Sequence, residues 1–300
     1  MITASTLATA PAAAPDLPPP LTLADAPFPA RESHSSVSTY EACPLRYANR
    51  YLLHLPGADT RSWYGFGSAV HAAFEAFDRA RIAAGPDGAL PPYEVLAEAF
   101  AASVDRSGCD PDLIARWRVR AEPVLRRYLE REAASDDRPI AVELGFGLDL
   151  ALDLAPGEGD YPGSDTGVEP VRFVGYIDRI DRQPDGSIAV LDHKTGWARG
   201  QAEVDADRQL TAYAFACARG AVLDPATGVP LPAPSRLGLH FADTGVTVWT
   251  TRSPEAIEEF GRALGATVAA IRGRAFEATP GDVCRWCEYR ATCPEAAPAA

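Results

Sequence analysis

The stretch IAVLDHKTG (188–196) runs four apolar residues into an acid and a base, Asp192 and Lys194. Side chains alternate along a strand, so these two share one face. The preceding strand, VRFVGYIDRID (171–181), carries Asp178 on the face of Val174 and Tyr176, and the turn residues of QPDGS join the two strands. A hairpin symmetric about Asp185 sets Asp178 directly opposite Asp192, with Cβ atoms roughly 4.5–5.5 Å apart. Two carboxylates that close repel unless one holds a proton or a cation lies between them. A hard divalent cation held by oxygens suits the pair, with Lys194 alongside. A slip of one residue would undo this geometry, and the plainer alternative is two solvated acids on an edge hairpin.

Lys194 is singular in another way. The chain has 28 basic residues, of which 27 are Arg and one is Lys. An ammonium is a compact point charge able to shift its pKa, whereas guanidinium is a planar fork that stays charged. With no Gly-Lys pair, the chain has no Walker A loop and is no P-loop motor. Four more residues have helical spacing that fits the same site. His71 and Glu75 stand at i, i+4 beside the stripe Val70, Phe74 and Phe77, and Gln209 and Tyr213 stand at i, i+4 in RQLTAYA. Glu143, in VELGF, is a weaker candidate.

Cysteines form a second group. Cys284, Cys287 and Cys293 give C-x2-C-x5-C, and Pro294 follows. Three thiolates need a fourth ligand whether they hold zinc or an iron–sulfur cubane, and spacing does not separate the two. Cys43, before Pro44, is the best fourth, because Cys109 and Cys217 fall within expected helical regions.

The elements that must position these groups alternate. Helices are expected over 35–55, 68–84, 92–107, 111–134 (kinked or broken at Pro123), 205–219 and 254–272. Strands are expected over 139–152, 171–181, 188–194 and in a hairpin over 236–250, with a Gly/Pro/Asp-rich loop (PGEGDYPGSDTG) after the first. The pattern suggests an α/β fold with a mixed sheet. Residues 1–33 read as a disordered Ala/Pro-rich leader, 34–295 as one domain with a helical insert at 92–134 and a cluster-binding segment at 281–295, and 296–300 as a tail. No apolar run is long enough to span a membrane, and a cytoplasmic location is expected. The net charge of −13 argues against a polyanionic partner, although a basic stripe can sit on an acidic protein. RWRVRAEPVLRRYLER (116–131) has a local excess of Arg and reads most simply as a solvated helix face.

Taken together these segments resemble the RecB-type branch of the PD-(D/E)XK nucleases, and more narrowly its iron–sulfur members, the AddB-like and CRISPR-associated exonucleases. The resemblance runs from Ser35 to Cys293 through SHSSVSTYEACP, GSAVHAAFE, GYIDRID, LDHKTG, QLTAY and CRWCEYRATCP. It implies a restriction-endonuclease-like core, with a Cys-ligated cluster joining the N- and C-terminal segments. It implies metal ligation by His71, Asp178, Asp192 and the backbone carbonyl of His193, with Lys194 catalytic. Gln209 and Tyr213 match a Q-x-x-x-Y motif associated with the substrate strand. Cys43, Cys284, Cys287 and Cys293 match the ligands of a [4Fe-4S] cluster, zinc being the alternative. The expected activity is Mg²⁺- or Mn²⁺-dependent hydrolysis of DNA, as an exonuclease on single-stranded ends in repair or recombination, with a helicase or other repair subunit as a possible partner. The alternatives are a non-cleaving DNA-binding adaptor of a helicase–nuclease assembly and a CRISPR spacer-acquisition nuclease. Two departures stand out: Ile177 occupies the place of the family's Pro, and His193 replaces a commoner aromatic, its side chain expected to face away from the site.

Overall fold

A parallel strand of three residues, β1 (Arg31–Ser33), opens the ordered sequence of elements in the computed structural model, which describes residues 22–58, 61–150 and 170–296. Ser33 then caps α1 (His34–Ala42), its side chain accepting from the Ser36 N–H while the Ser36 hydroxyl answers to Ser33 N. The helix expected over 35–55 is not continuous. Pro44 disfavours a helical residue before it, so Cys43 is extended (φ −164°, ψ 109°), and α2 (Pro44–Tyr47) and a π-helical turn (Ala48–Leu52) follow.

The next helices are α3 (Arg61–Ala84), α4 (Tyr93–Asp105) and α5 (Pro111–Ala134). α3 starts seven residues before the expected helix. α5 continues through Pro123 without a break. The carbonyl that Pro123 leaves without a donor belongs to Val119, an exposed residue, where water can take the donor's place. The Arg-rich face of α5 is heavily paired: Arg118 with Asp105, Arg120 with Asp243, and Arg126 with Glu122.

Strands β2 (Arg138–Leu150), β3 (Val171–Arg182) and β4 (Ile188–Lys194) form an antiparallel meander. The expected loop between β2 and β3, and most of the expected leader, lie outside the described residues. Residues 31–33, assigned to that leader, instead pair with β3. Helices α6 (Gln201–Asp205) and α7 (Arg208–Ala218) lead to the hairpin β5 (Arg236–Phe241) and β6 (Val246–Thr250). Ser253 caps α8 (Pro254–Arg272), and a 3-10 turn (Asp282–Trp286) precedes the last cysteines.

The sheet is mixed: β1–β3 and β4–β5 are parallel, the other pairs antiparallel. β2 pairs along almost the whole length of β3. The two strands on the other edge of β3 therefore divide it, β1 against Arg172–Val174 and β4 against Arg179–Arg182. Between them a short stretch of β3, from Gly175 to Asp178, has no ladder partner on that side. One apolar core, with Phe173, Ile177 and Val190, fills the space under α7 and α8; a second, with Phe74, Leu96 and Leu125, joins α3, α4 and α5. The result is a mixed sheet flanked by helices, consistent with a restriction-endonuclease-like core.

Candidate metal and nucleic-acid site

The β3–β4 ladder runs from Arg182↔Ile188 to Arg179↔Leu191, which is the register expected from the turn at Asp185. The next pair in that register is Asp178 and Asp192. Here the strands part, and the His193 N–H donates to Asp178 Oδ2 (2.8 Å) instead of to a backbone carbonyl. On the opposite edge Val142↔Arg179 and Leu144↔Ile177 flank Glu143, placing it across from Asp178. Glu143 has φ +48°, a left-handed backbone that side-chain-bearing residues seldom adopt within a strand.

α3 supplies the remaining group. His71 Nδ1 lies 3.5 Å from Asp178 Oδ2, and ligand atoms of His71, Glu143 and Asp178 all fall within 4.8 Å of one another. Burial, and then the neighbouring Asp192 charge, push the Asp178 carboxyl up to about 8, against the His193 N–H that stabilises its charge. Burial, then repulsion from Glu75, also raises Glu143. Burial lowers His71, which keeps the imidazole neutral with a free lone pair. Glu75 stays on the surface of α3, paired with Arg79 at 2.8 Å.

Asp192, 1% exposed, belongs to a closed circuit of four side chains. Lys194 Nζ lies 2.8 Å from Asp192 Oδ2 and donates to Gln209 Oε1 (2.7 Å). Gln209 Nε2 donates to the Tyr213 hydroxyl (2.7 Å), which donates to Asp192 Oδ1 (3.1 Å). Helical spacing on α7 thus brings both residues of the Q-x-x-x-Y motif onto the acid and base of β4. Asp192 Oδ2 is buried and, among the described residues, has the Lys194 charge as its partner and no further hydrogen bond. Asp192, expected as a ligand, is not in the set that converges within 4.8 Å; its carboxylate is turned to Lys194 and Tyr213, while its charge acts on both His71 and Asp178. Neutral imidazole with a pair of carboxylates is a donor set that a hard divalent ion takes. The His193 ring points to the other side, against Phe74, Tyr128 and His240.

That other side is held by a buried charge network. Arg179, 0% exposed, bonds Asp181 (2.7 Å), Asp78 (3.0 Å), Glu132 (2.9 Å) and the Tyr128 hydroxyl (2.9 Å). Arg81 and Arg131 also pair with Glu132. The network pins α3 and α5 to β3, one residue beyond Asp178. The sequence motifs did not single it out, because a charged residue in a strand reads as solvent-facing until its partners on distant helices are known.

Beside the Gln209–Tyr213 pair an open cleft of about 1160 Å³ is lined also by Arg31, His34, Gly145 and Tyr176. His34 lies within the SHSSVSTYEACP segment and Tyr176 within GYIDRID, but nothing in their spacing marked either one, and Arg31 carried no motif. The four cysteines gather elsewhere. Cys43, Cys284, Cys287 and Cys293 line one shared pocket, where the break at Cys43 meets the C-terminal segment. Among the described residues they are not part of the set converging within 4.8 Å. Burial pushes the Cys287 thiol up.

A model of the PD-(D/E)XK nuclease superfamily matches residues 31–294. The chain belongs to that superfamily. Its members are nucleases, and a divalent metal is their general requirement, which the acidic site on this PD-(D/E)XK chain can meet. No curated protein matches the sequence. Among solved structures, the crystal structure of SSO0001 is similar at 11% identity over 80% of this chain and 98% of that one, with a TM-score of 0.35. No helix among the described residues of this nuclease is long and apolar enough to cross a membrane.

Proposed function

We propose that this chain is a Mg²⁺- or Mn²⁺-dependent deoxyribonuclease that removes nucleotides from single-stranded DNA ends, in the service of repair or recombination. The observation that carries the reading is the convergence of His71, Glu143 and Asp178 beside the Asp192–Lys194 pair. An ion held by His71, Asp178, Asp192 and the His193 carbonyl, with Glu143 in reach, would polarise the scissile phosphate and lower the pKa of a water. Lys194 keeps its ammonium beside that position because Asp192 and Gln209 hold it from two sides; there it orients the attacking water and offsets charge in the transition state. Tyr213 fixes the carboxylate that steers Lys194. The acids repel DNA, so its binding relies on the metal and on Arg31 at the cleft, and weakens steeply with salt.

As part of the same reading, Cys43, Cys284, Cys287 and Cys293 would hold a structural [4Fe-4S] cluster. Tetrahedral zinc is the alternative occupant of the same four thiols. A cluster there would join the N-terminal helices to the C-terminus without taking part in hydrolysis.

The test uses 5′- and 3′-end-labelled single strands with Mn²⁺ and compares the anaerobically purified protein with Asp192→Ala and Lys194→Ala. Each variant is expected to lose turnover by at least about a hundredfold. Cleavage by either one at the wild-type rate overturns the assignment, and a wild-type protein that binds the strand yet never cuts it identifies the non-cleaving adaptor instead.

A further inference from the structure

Tyr176 is a large aromatic residue 65% exposed on the middle of a long strand. A strand position that gains nothing from burial is ordinarily polar, so the ring requires a reason. It stands two residues before Asp178, roughly 7 Å along β3, on the stretch that neither β1 nor β4 covers. Across the ladder its partner is Gly145. A Cβ on Gly145 would lie 3.2 Å from the Tyr176 ring, so the ring leans over the bare backbone of β2 and leaves its other side to solvent. The ring lines the same cleft as Arg31, His34, Gln209 and Tyr213. Gln209 and Tyr213 bond directly to Lys194 and Asp192, so the cleft opens onto the reacting groups. Arg31 is exposed and has no acidic partner among the described residues. Burial keeps His34 below its usual range and therefore neutral.

Building on the nuclease reading, we infer that Tyr176 is the stacking platform for one nucleobase of an unpaired DNA strand, next to the phosphate that is cut, with Arg31 holding a phosphate of the same strand. A flat ring with one face supported and one face open, beside a free guanidinium, matches what unpaired nucleic acid offers: a π-face and a charged backbone alternating along the chain. A base within a duplex has both faces covered by its neighbours and cannot use the platform unless it leaves the stack. The site therefore selects single strands over duplexes. It tolerates any base, because every base has a π-face and the contact reads no base edge. Tyr176 positions the strand; it touches none of the groups that do the chemistry.

Equilibrium binding of the full chain is measured by fluorescence anisotropy in Ca²⁺, with labelled oligothymidylate, an abasic strand of equal length and a duplex. Tyr176→Ala should bind oligothymidylate roughly tenfold more weakly, and Tyr176→Phe, which keeps the ring and drops the hydroxyl, should bind it as wild type does. The abasic strand and the duplex should not distinguish Tyr176→Ala from wild type. Arg31→Ala should weaken binding to all three and lower the salt slope by about one phosphate contact. Unchanged oligothymidylate affinity in Tyr176→Ala, an equal loss in Tyr176→Phe, or an equal loss on the abasic strand each overturns the stacking role. Parallel digestion by the wild-type protein in Mn²⁺ separates the two levels of the argument. A wild type that cuts the strand while Tyr176→Ala binds it normally removes only the platform; a wild type that neither binds nor cuts it removes the nuclease reading as well.

Discussion

Asp178 is the residue on which the site's chemistry turns, and its proton gives the most direct measurement. Its folded-state pKa of about 8 stands above the ordinary aspartate value, with burial the largest cause and Asp192 the next. Without metal, the folded protein therefore holds this proton where the unfolded chain has lost it. Its stabilising effect is complete below the ordinary aspartate range and disappears as pH rises through about 8. A metal ion competes with the same proton. Affinity for Mn²⁺ is expected to rise about tenfold per pH unit from about pH 6 to about 8, then level off. Calorimetric titration across that range, in buffers of different ionisation enthalpy, should count close to one proton released per ion, and a flat profile excludes this role for Asp178. The placement of Asp178 at the Asp192 position of its neighbour strand was legible because Pro184-Asp185-Gly186 makes a turn that sets the register. The rank of Glu143 was not. Its value comes from a positive φ, and a backbone angle of that kind leaves no mark on a sequence that shows Glu in a run of strand-forming residues.

At the scale of elements, β3 is the axis of the molecule. It carries Tyr176 and Asp178 towards the cleft and Arg179 towards α3 and α5. Arg179 pairs with Asp78, Asp181 and Glu132 in a buried space, and burial, with Glu132 adding to it, pushes Asp78 up to about 7 despite that arginine. Arg179→Met fills a similar volume but leaves these acids with Arg81 and Arg131 alone. The loss expected in denaturant unfolding is about 3–5 kcal/mol, and a loss within the range of an ordinary surface substitution would show that the network contributes little. Helices and long strands could be read from periodicity and caps, as Ser253-Pro254 at the start of α8 illustrates. β1 could not. Three residues carry no period, and the partner that makes them a strand lies about 140 residues away on β3. Pro123 does not end α5 for the opposite reason, since a local rule about proline was outweighed by an exposed carbonyl and a buried inner face at Trp117, Val124 and Leu125.

Across the whole molecule, the two ends of the described chain are fastened together. Arg274 bonds the carbonyls of Leu23 and Ala26, and Arg272 that of Pro29. Tyr40 donates to the carbonyl of Ala275, and Arg46 pairs with Glu288 at 2.8 Å. The cysteine cavity lies against this junction. With the proposed cluster at these cysteines, Cys43→Ser in anaerobically purified protein would lose iron and sulfide and raise KM for a single strand more than it lowers kcat, with Mn²⁺ affinity kept. Full iron content in that variant, or a fall in kcat alone, would refute the linkage. The reason lies in how the labour is divided. His71, Glu143, Asp178 and Asp192 stand on α3 and the central meander, whereas Arg31 and His34 reach the cleft on a segment steadied from behind by residues near 272–276. Slackening at the far end of the polypeptide is thus felt first as a poorer grip on the strand, while the blade beneath it stays sharp.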